Sequence, residues 1–223
     1  MAQEQKQPDR PSLHFILGLP GAGKTTATLQ VMRSLDLCEV SWRADDMTQA
    51  QHQKEMGSQR LTFMATKNNR VVVLGAYQTE AARRCPELRG PDKYSPPQRT
   101  RVKTIIKELA AQRKTRHILF DGLAMLKSGG KPLVEALFET CTVHVYHLKT
   151  DREVCRERFT KRNNYMVSEG RLRSFPNRFR LSSTWDTIQK RMDMFMQDKR
   201  VHVLQHYVDV DSMCRALEVA LRL

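Results

Sequence analysis

The sequence predicts an α/β fold of three layers, a mostly parallel sheet covered by helices on both faces. Three observations carry the prediction. Short apolar runs alternate with segments of helical periodicity, the pattern of strands joined by right-handed crossovers. A glycine-rich segment links the first run to the first periodic segment. No apolar run approaches the roughly 18 residues that a membrane span requires.

The elements follow in order. Leu13 to Leu17 is a short apolar run ending in glycine, and from Gly23 to Leu35 the residues Ala27, Val31 and Leu35 recur at helical spacing. A second β-like run, Cys38 to Trp42, leads into a polar segment expected to be helical through Arg60. Val71 to Ala76 (VVVLGA) reads as a buried strand, and residues 78–97, rich in Pro, Gly and Arg, as a long loop. Gln98 to Gln112 resumes helical periodicity and feeds a buried strand at His117 to Phe120, closed by Asp121-Gly122. A helix near Pro132 to Glu139, a strand over Thr142 to Leu148 and a surface helix over Asp151 to Arg162 come next. Asn163 to Leu181 shows no stable periodicity and reads as a mobile basic lid, so that the lid region spans about 152–181. Ser182 to Gln197, Val201 to Leu204 and Asp211 to Leu221 complete the pattern as helix, strand and helix.

Of the 223 residues, 12–223 read as one domain, and the first eleven, which lack the apolar stretch of a signal peptide, as a disordered lead-in. A soluble intracellular protein is expected. The five cysteines are odd in number and widely scattered, which argues for reduced, structural thiols; Cys38 and Cys141 open apolar runs where a small buried residue is ordinary. The net charge of +14 is concentrated. Residues 83–116 hold 11 Lys/Arg against 3 Asp/Glu, and residues 149–191 hold 12 against 5, which leaves the rest of the chain near neutral. Two basic segments on a near-neutral scaffold point to polyanion surfaces, with DNA as the expected partner.

Gly18-Leu-Pro-Gly-Ala-Gly-Lys24-Thr25 fits G-x-x-x-x-G-K-[ST] between a strand and a helix, the context in which that motif cradles nucleotide phosphates. Gly18, Gly21, Ala22, Gly23 and Thr26 then line the phosphates with Lys24 and Thr25: backbone N–H groups and the helix N-terminus face the anion, and Lys24 reaches the β and γ phosphates. ATP is the expected nucleotide, with Mg²⁺ held by Thr25 and a carboxylate.

Arg158 and Arg162 are i,i+4 neighbours on one helix face, beside a loop holding Arg171, Arg173, Arg178 and Arg180. Kinases close such a lid around the transferring phosphoryl. A kinase acting on a hydroxyl also needs a carboxylate to take its proton. Asp121, at the end of HILF, stands where open α/β sheets gather ligands, as base or metal ligand. Asp45, after the second strand run, is the other candidate, although it or Asp46 could cap the next helix and Asp121 could brace a turn. The seven histidines show no metal spacing. Tyr77, Tyr94 and Trp42 could stack on a base or pack the rim.

The order of these features resembles the phage 5-hydroxymethyluracil DNA kinases, which phosphorylate the hydroxymethyl group of a modified pyrimidine within DNA. The resemblance rests on GLPGAGKT, on VVVLGAYQT with the later Arg89-Gly90-Pro91-Asp92, on ILFDGL, on the Arg152 to Arg162 helix and on Phe175-Pro176-Asn177. It implies roles for Asp92 and Asp121 in placing the acceptor or Mg²⁺, with Tyr77 and Arg89 beside Asp92 at the substrate. Trp42-Arg43-Ala44-Asp45-Asp46 resembles the Arg-Asp-Asp region of polynucleotide 5′-kinases, in which the first aspartate activates the acceptor. The expectation is an ATP-dependent kinase of a hydroxyl on DNA using Lys24, Asp121 or Asp45, Arg158 and Arg162. The alternatives are a kinase of a free nucleoside or nucleotide or of a 5′-hydroxyl end, and a nucleic-acid-stimulated ATPase.

Overall fold

A computed structural model of the chain describes residues 10–41, 62–74, 104, 106–111, 114–122, 131–170 and 182–222. The first apolar run forms β1 (Ser12–Gly18) and the periodic segment after it α1 (Lys24–Ser34). Four more strands follow before the next named helix or within the sheet: β2 (Leu37–Ser41), β3 (Thr62–Thr66), β4 (Val71–Leu74) and β5 (His117–Asp121). Then come α2 (Lys131–Thr140), β6 (Thr142–Leu148), α3 (Arg152–Ser168), α4 (Ser182–Met196), β7 (Val201–Tyr207) and α5 (Val210–Arg222). Residues 106–111 are helical, inside the segment expected at Gln98 to Gln112. The expected helix through Arg60 and the loop at 78–97 lie outside the described residues, as does all but the end of the lead-in.

The strands form one sheet in the order β2-β3-β4-β5-β1-β6-β7. From β4 to β7 every pairing is parallel, and β2, β3 and β4 pair antiparallel at one edge. The sheet is therefore mostly parallel, as expected. Successive residues of β1 point to opposite faces, yet His14, Phe15, Ile16 and Leu17 are all buried, so both faces are covered. On one face Phe15 meets Phe195 of α4 edge-on at 5.4 Å, and Phe138 of α2 stacks on Phe195. α1 packs against α5, where the Cys214 thiol donates to the Ala27 carbonyl at 3.6 Å. In α5 the buried residues Met213, Cys214, Leu217 and Leu221 make a single stripe, the face of an amphipathic helix laid on a core. Among the described residues no helix is long and apolar enough to cross a membrane.

Two differences from the sequence expectation have local causes. β3 is a strand in a stretch assigned no element, and it pairs with β4 as a hairpin. Asn68 Oδ1 accepts from Thr66 Oγ1 and from the Arg70 amide, and Asn69 takes φ 56°, a left-handed conformation that Asn tolerates. Secondly, α3 continues six residues past Arg162. Its buried stripe is Cys155, Phe159, Asn163 and Met166, and the polar Asn163 hides the periodicity because its side-chain amide donates to the Phe159 carbonyl at 2.7 Å. Cys141 is buried as expected, whereas Cys38, on a sheet-edge strand, is exposed.

Histidines that look scattered in the sequence line up across the sheet. His117, His14, His144 and His202 stand on the adjacent strands β5, β1, β6 and β7. His14 Nε2 lies 3.1 Å from His117 Nδ1 and His14 Nδ1 3.1 Å from the Tyr146 hydroxyl. A neutral imidazole offers one donor and one acceptor, which these two neighbours occupy. Burial, followed by His117 and His144, lowers the His14 pKa to about 3, and burial with Arg70, Arg116 and His144 lowers that of His117. His147, against His206, falls to about 4, chiefly by burial. The unfolded chain, with ordinary values near 6.5, binds these protons first. This stability is therefore fully present above about pH 6.5 and is lost as pH falls toward the folded values of about 3 and 4. Thermal melts should show the midpoint falling below pH 6.5, and His14→Phe should flatten that slope; an unchanged slope would refute the assignment.

Candidate active site

The parallel register brings the carboxyl ends of three central strands together. Ile16 pairs with Asp121, and Gly18 pairs with Leu148, so Asp121 and Leu148 flank the start of the glycine-rich loop. Within that loop the Ala22 amide donates to the Leu19 carbonyl at 3.0 Å, with Pro20 second and Gly21 third at φ 88°. Pro followed by a positive-φ Gly is the requirement of a type II turn. Gly23, at φ 104°, occupies the N-cap position of α1.

Lys24 is buried, and its Nζ donates to the carbonyls of Gly18 at 2.8 Å and Leu19 at 3.0 Å. The ammonium is thereby fixed over the first turn of the loop. Thr25 Oγ1 donates to Asp121 Oδ2 at 3.1 Å, and Asp121 is 1% exposed. The structure thus joins two residues 96 positions apart that the sequence assigned to one metal. Ala22 is buried and Thr26 exposed in the first turn of α1.

The start of α3 backs the loop, a contact the sequence did not reveal. Asp151 caps α3, its Oδ1 accepting from the Glu153 and Val154 amides at 2.8 and 3.1 Å. Thr150 Oγ1 donates to the Ala22 carbonyl, and a β-carbon placed on Gly21 would overlap the Cys155 carbonyl oxygen. Gly21→Ala combines that overlap with a strained φ. It should cost roughly 2 kcal/mol or more in urea unfolding and weaken nucleotide binding in the same variant; wild-type stability would show that the contact is not tight.

Burial raises the pKa of the Cys155 thiol, while Lys24 and then Arg158 oppose the shift. Arg158 and Arg162 are exposed along α3, with the Arg162 guanidinium 5.3 Å from the Phe159 ring centroid. Arg152 holds α3 to α4 through Asp186 at 2.6 Å and the Ser182 carbonyl and hydroxyl at 3.0 Å each. Below that bridge Trp185 meets Phe159 edge-on. Asp45, Tyr77, Arg89 and Asp92 lie outside the described residues, as do Trp42, Tyr94, Arg171, Arg173, Arg178 and Arg180.

The paired hydroxyl and carboxylate oxygens of Thr25 and Asp121 suit Mg²⁺, which takes one or two protein oxygens and leaves other positions to phosphates and water. Among the described residues no group of three or more His, Cys, Asp or Glu side chains could hold a metal ion, so an all-protein cage is absent there.

Fold and loop together define a P-loop nucleotide-binding protein of the kinase-like kind. The profile described as AAA domain matches residues 13–182, and the chain belongs to that family. No curated protein matches. Among solved structures the chain is similar to one titled "Crystal structure of APE1195", at 12% identity over 96% of each chain with a TM-score of 0.43.

Proposed function

We propose that the protein is an ATP-dependent kinase that transfers the γ-phosphoryl group to a hydroxyl carried by DNA, the hydroxymethyl group of a modified pyrimidine such as 5-hydroxymethyluracil. The observation that carries the kinase reading is the cluster of Lys24, Thr25 and Asp121 at the mouth of the loop, beside the cations of α3. The DNA acceptor is supported by the two basic segments and by the motifs shared with the hydroxymethyluracil kinases.

In this reading the loop amides and the α1 N-terminus hold the nucleotide phosphates, and Lys24 lies against the γ-phosphoryl oxygens. Thr25 and Asp121 would hold Mg²⁺, which would supply neutralisation of the phosphate charge. Arg158 and Arg162 approach the phosphoryl from α3. The acceptor oxygen forms a bond to the γ phosphorus as the bond to the β-phosphate oxygen breaks, and ADP departs. The hydroxyl proton passes to Asp121 or Asp45. Most of the acceleration comes from positioning and fixed charge.

The test incubates the protein with γ-labelled ATP and Mg²⁺ against plain DNA, DNA containing 5-hydroxymethyluracil, 5′-hydroxyl oligonucleotides and free nucleosides. Label confined to the modified DNA is the expected result. Label in free nucleosides alone would replace the acceptor, and phosphate release without a labelled acceptor would make the protein an ATPase.

A further inference from the structure

A cleft of about 440 Å³ opens between the P-loop and α4, lined by Leu19, Arg152, Trp185, Asp186, Gln189 and Asp193 among others. None of these residues has been given a part in handling the phosphates. The volume lies within the range of small-molecule sites, about 300–1,000 Å³. Leu19, whose carbonyl accepts from Lys24 Nζ at 3.0 Å, forms part of its wall. In a P-loop that ammonium lies at the β and γ phosphates. The cleft therefore adjoins the place where the transferable phosphoryl would stand.

Its chemistry separates what can enter from what stays outside. Asp186 is paired with Arg152, whereas Asp193 accepts from Gln189 Nε2 at 2.9 Å and adds a carboxylate to the wall. Arg152 and Lys190 balance the two carboxylates of the lining, and an uncharged group with N–H or O–H donors finds acceptors in Asp193 and the Gln189 carbonyl, over the buried ring of Trp185. Outside, Arg158, Lys161 and Arg162 on α3 and Arg191 on α4 are exposed, a surface for backbone phosphates. A charge-balanced, polar cleft beside a cationic face fits one nucleoside unit of a nucleic acid, its base within and its phosphates without.

We infer that this cleft receives the acceptor base of DNA after it has left the helical stack. The inference rests on the kinase reading above. A base still stacked in a duplex cannot enter such a cleft, so the nucleotide must be extruded, at a cost of a few kcal/mol that a mismatch reduces. The same cleft could in principle hold a nucleoside from another source, the adenosine of ATP, and the experiment separates the two.

Steady-state transfer is measured with the full-length chain and oligonucleotides carrying one 5-hydroxymethyluracil, paired or mismatched, for wild type, Gln189→Trp and Met194→Trp. Met194 also lines the cleft and is 63% exposed, so its substitution preserves the test if Gln189→Trp fails to fold. Filling the cleft should lower kcat/KM for the DNA at least tenfold and leave KM for ATP within about twofold. Wild type should favour the mismatched acceptor by about tenfold or more. A rise in KM for ATP instead assigns the cleft to adenosine and overturns the inference, and unchanged kinetics in a folded variant overturns it too. Wild-type protein that labels no DNA overturns the DNA-acceptor reading, and the cleft assignment with it, whereas transfer that survives filling removes the cleft alone.

Discussion

Lys24→Ala should reduce phosphoryl transfer by at least about 10² to 10³-fold, the usual consequence of removing a preorganised charge from a transition state. The ammonium is buried and held by two carbonyls of the loop, so it needs no reorganisation when charge develops on the γ oxygens. Lys24→Met, of similar length, separates charge from packing: both variants should lose activity, and Met should retain more of the melting temperature. Labelled-ATP transfer and thermal melts of the same preparations check this. Transfer within threefold of wild type in Lys24→Ala would place the phosphates elsewhere.

Asp121→Asn is expected to cost about 10²-fold or more in rate and to raise the Mg²⁺ concentration needed for half-maximal activity. Asparagine keeps the shape of a side chain that is 1% exposed and can still accept from Thr25, so the change tests charge rather than packing. Thr25→Ala should shift the Mg²⁺ requirement in the same direction. The double variant should lose less than the two single losses combined, because one contact joins the pair. A Mg²⁺ titration that does not move in either variant would leave Asp121 as a base or a brace.

Much of this site was legible because the glycine-rich motif fixes its own geometry: Pro20 and Gly21 specify a turn, and Gly23 and Lys24 the start of a helix. Asp121 was legible because a strand end is a place, and parallel register makes it a neighbour of β1. The backing of the loop was not. Nothing local to Gly21 tells which backbone will lie against it, and that backbone, at Cys155, arrives 134 residues later through β6. β3 escaped for the opposite reason. Its signal, TFMAT before Lys-Asn-Asn-Arg and VVVL, was present, but a five-residue strand carries too few alternations to stand out without its partner. The histidine row needed strand order, since period-two spacing assigns a face without saying which strands adjoin.

The contact between Gly21 and Cys155 gives α3 the mechanics of a lever. Its seventeen residues span about 25 Å at 1.5 Å per residue, with the fulcrum in the first turn, pressed on the loop. Arg162 rides about 10 Å beyond Cys155, so a tilt of roughly 10° at the fulcrum carries its backbone by close to 2 Å. Any tilt of α3 about that contact thus moves the Arg162 backbone further than it moves the loop. The glycine that gives the loop its turn is also the point on which α3 bears.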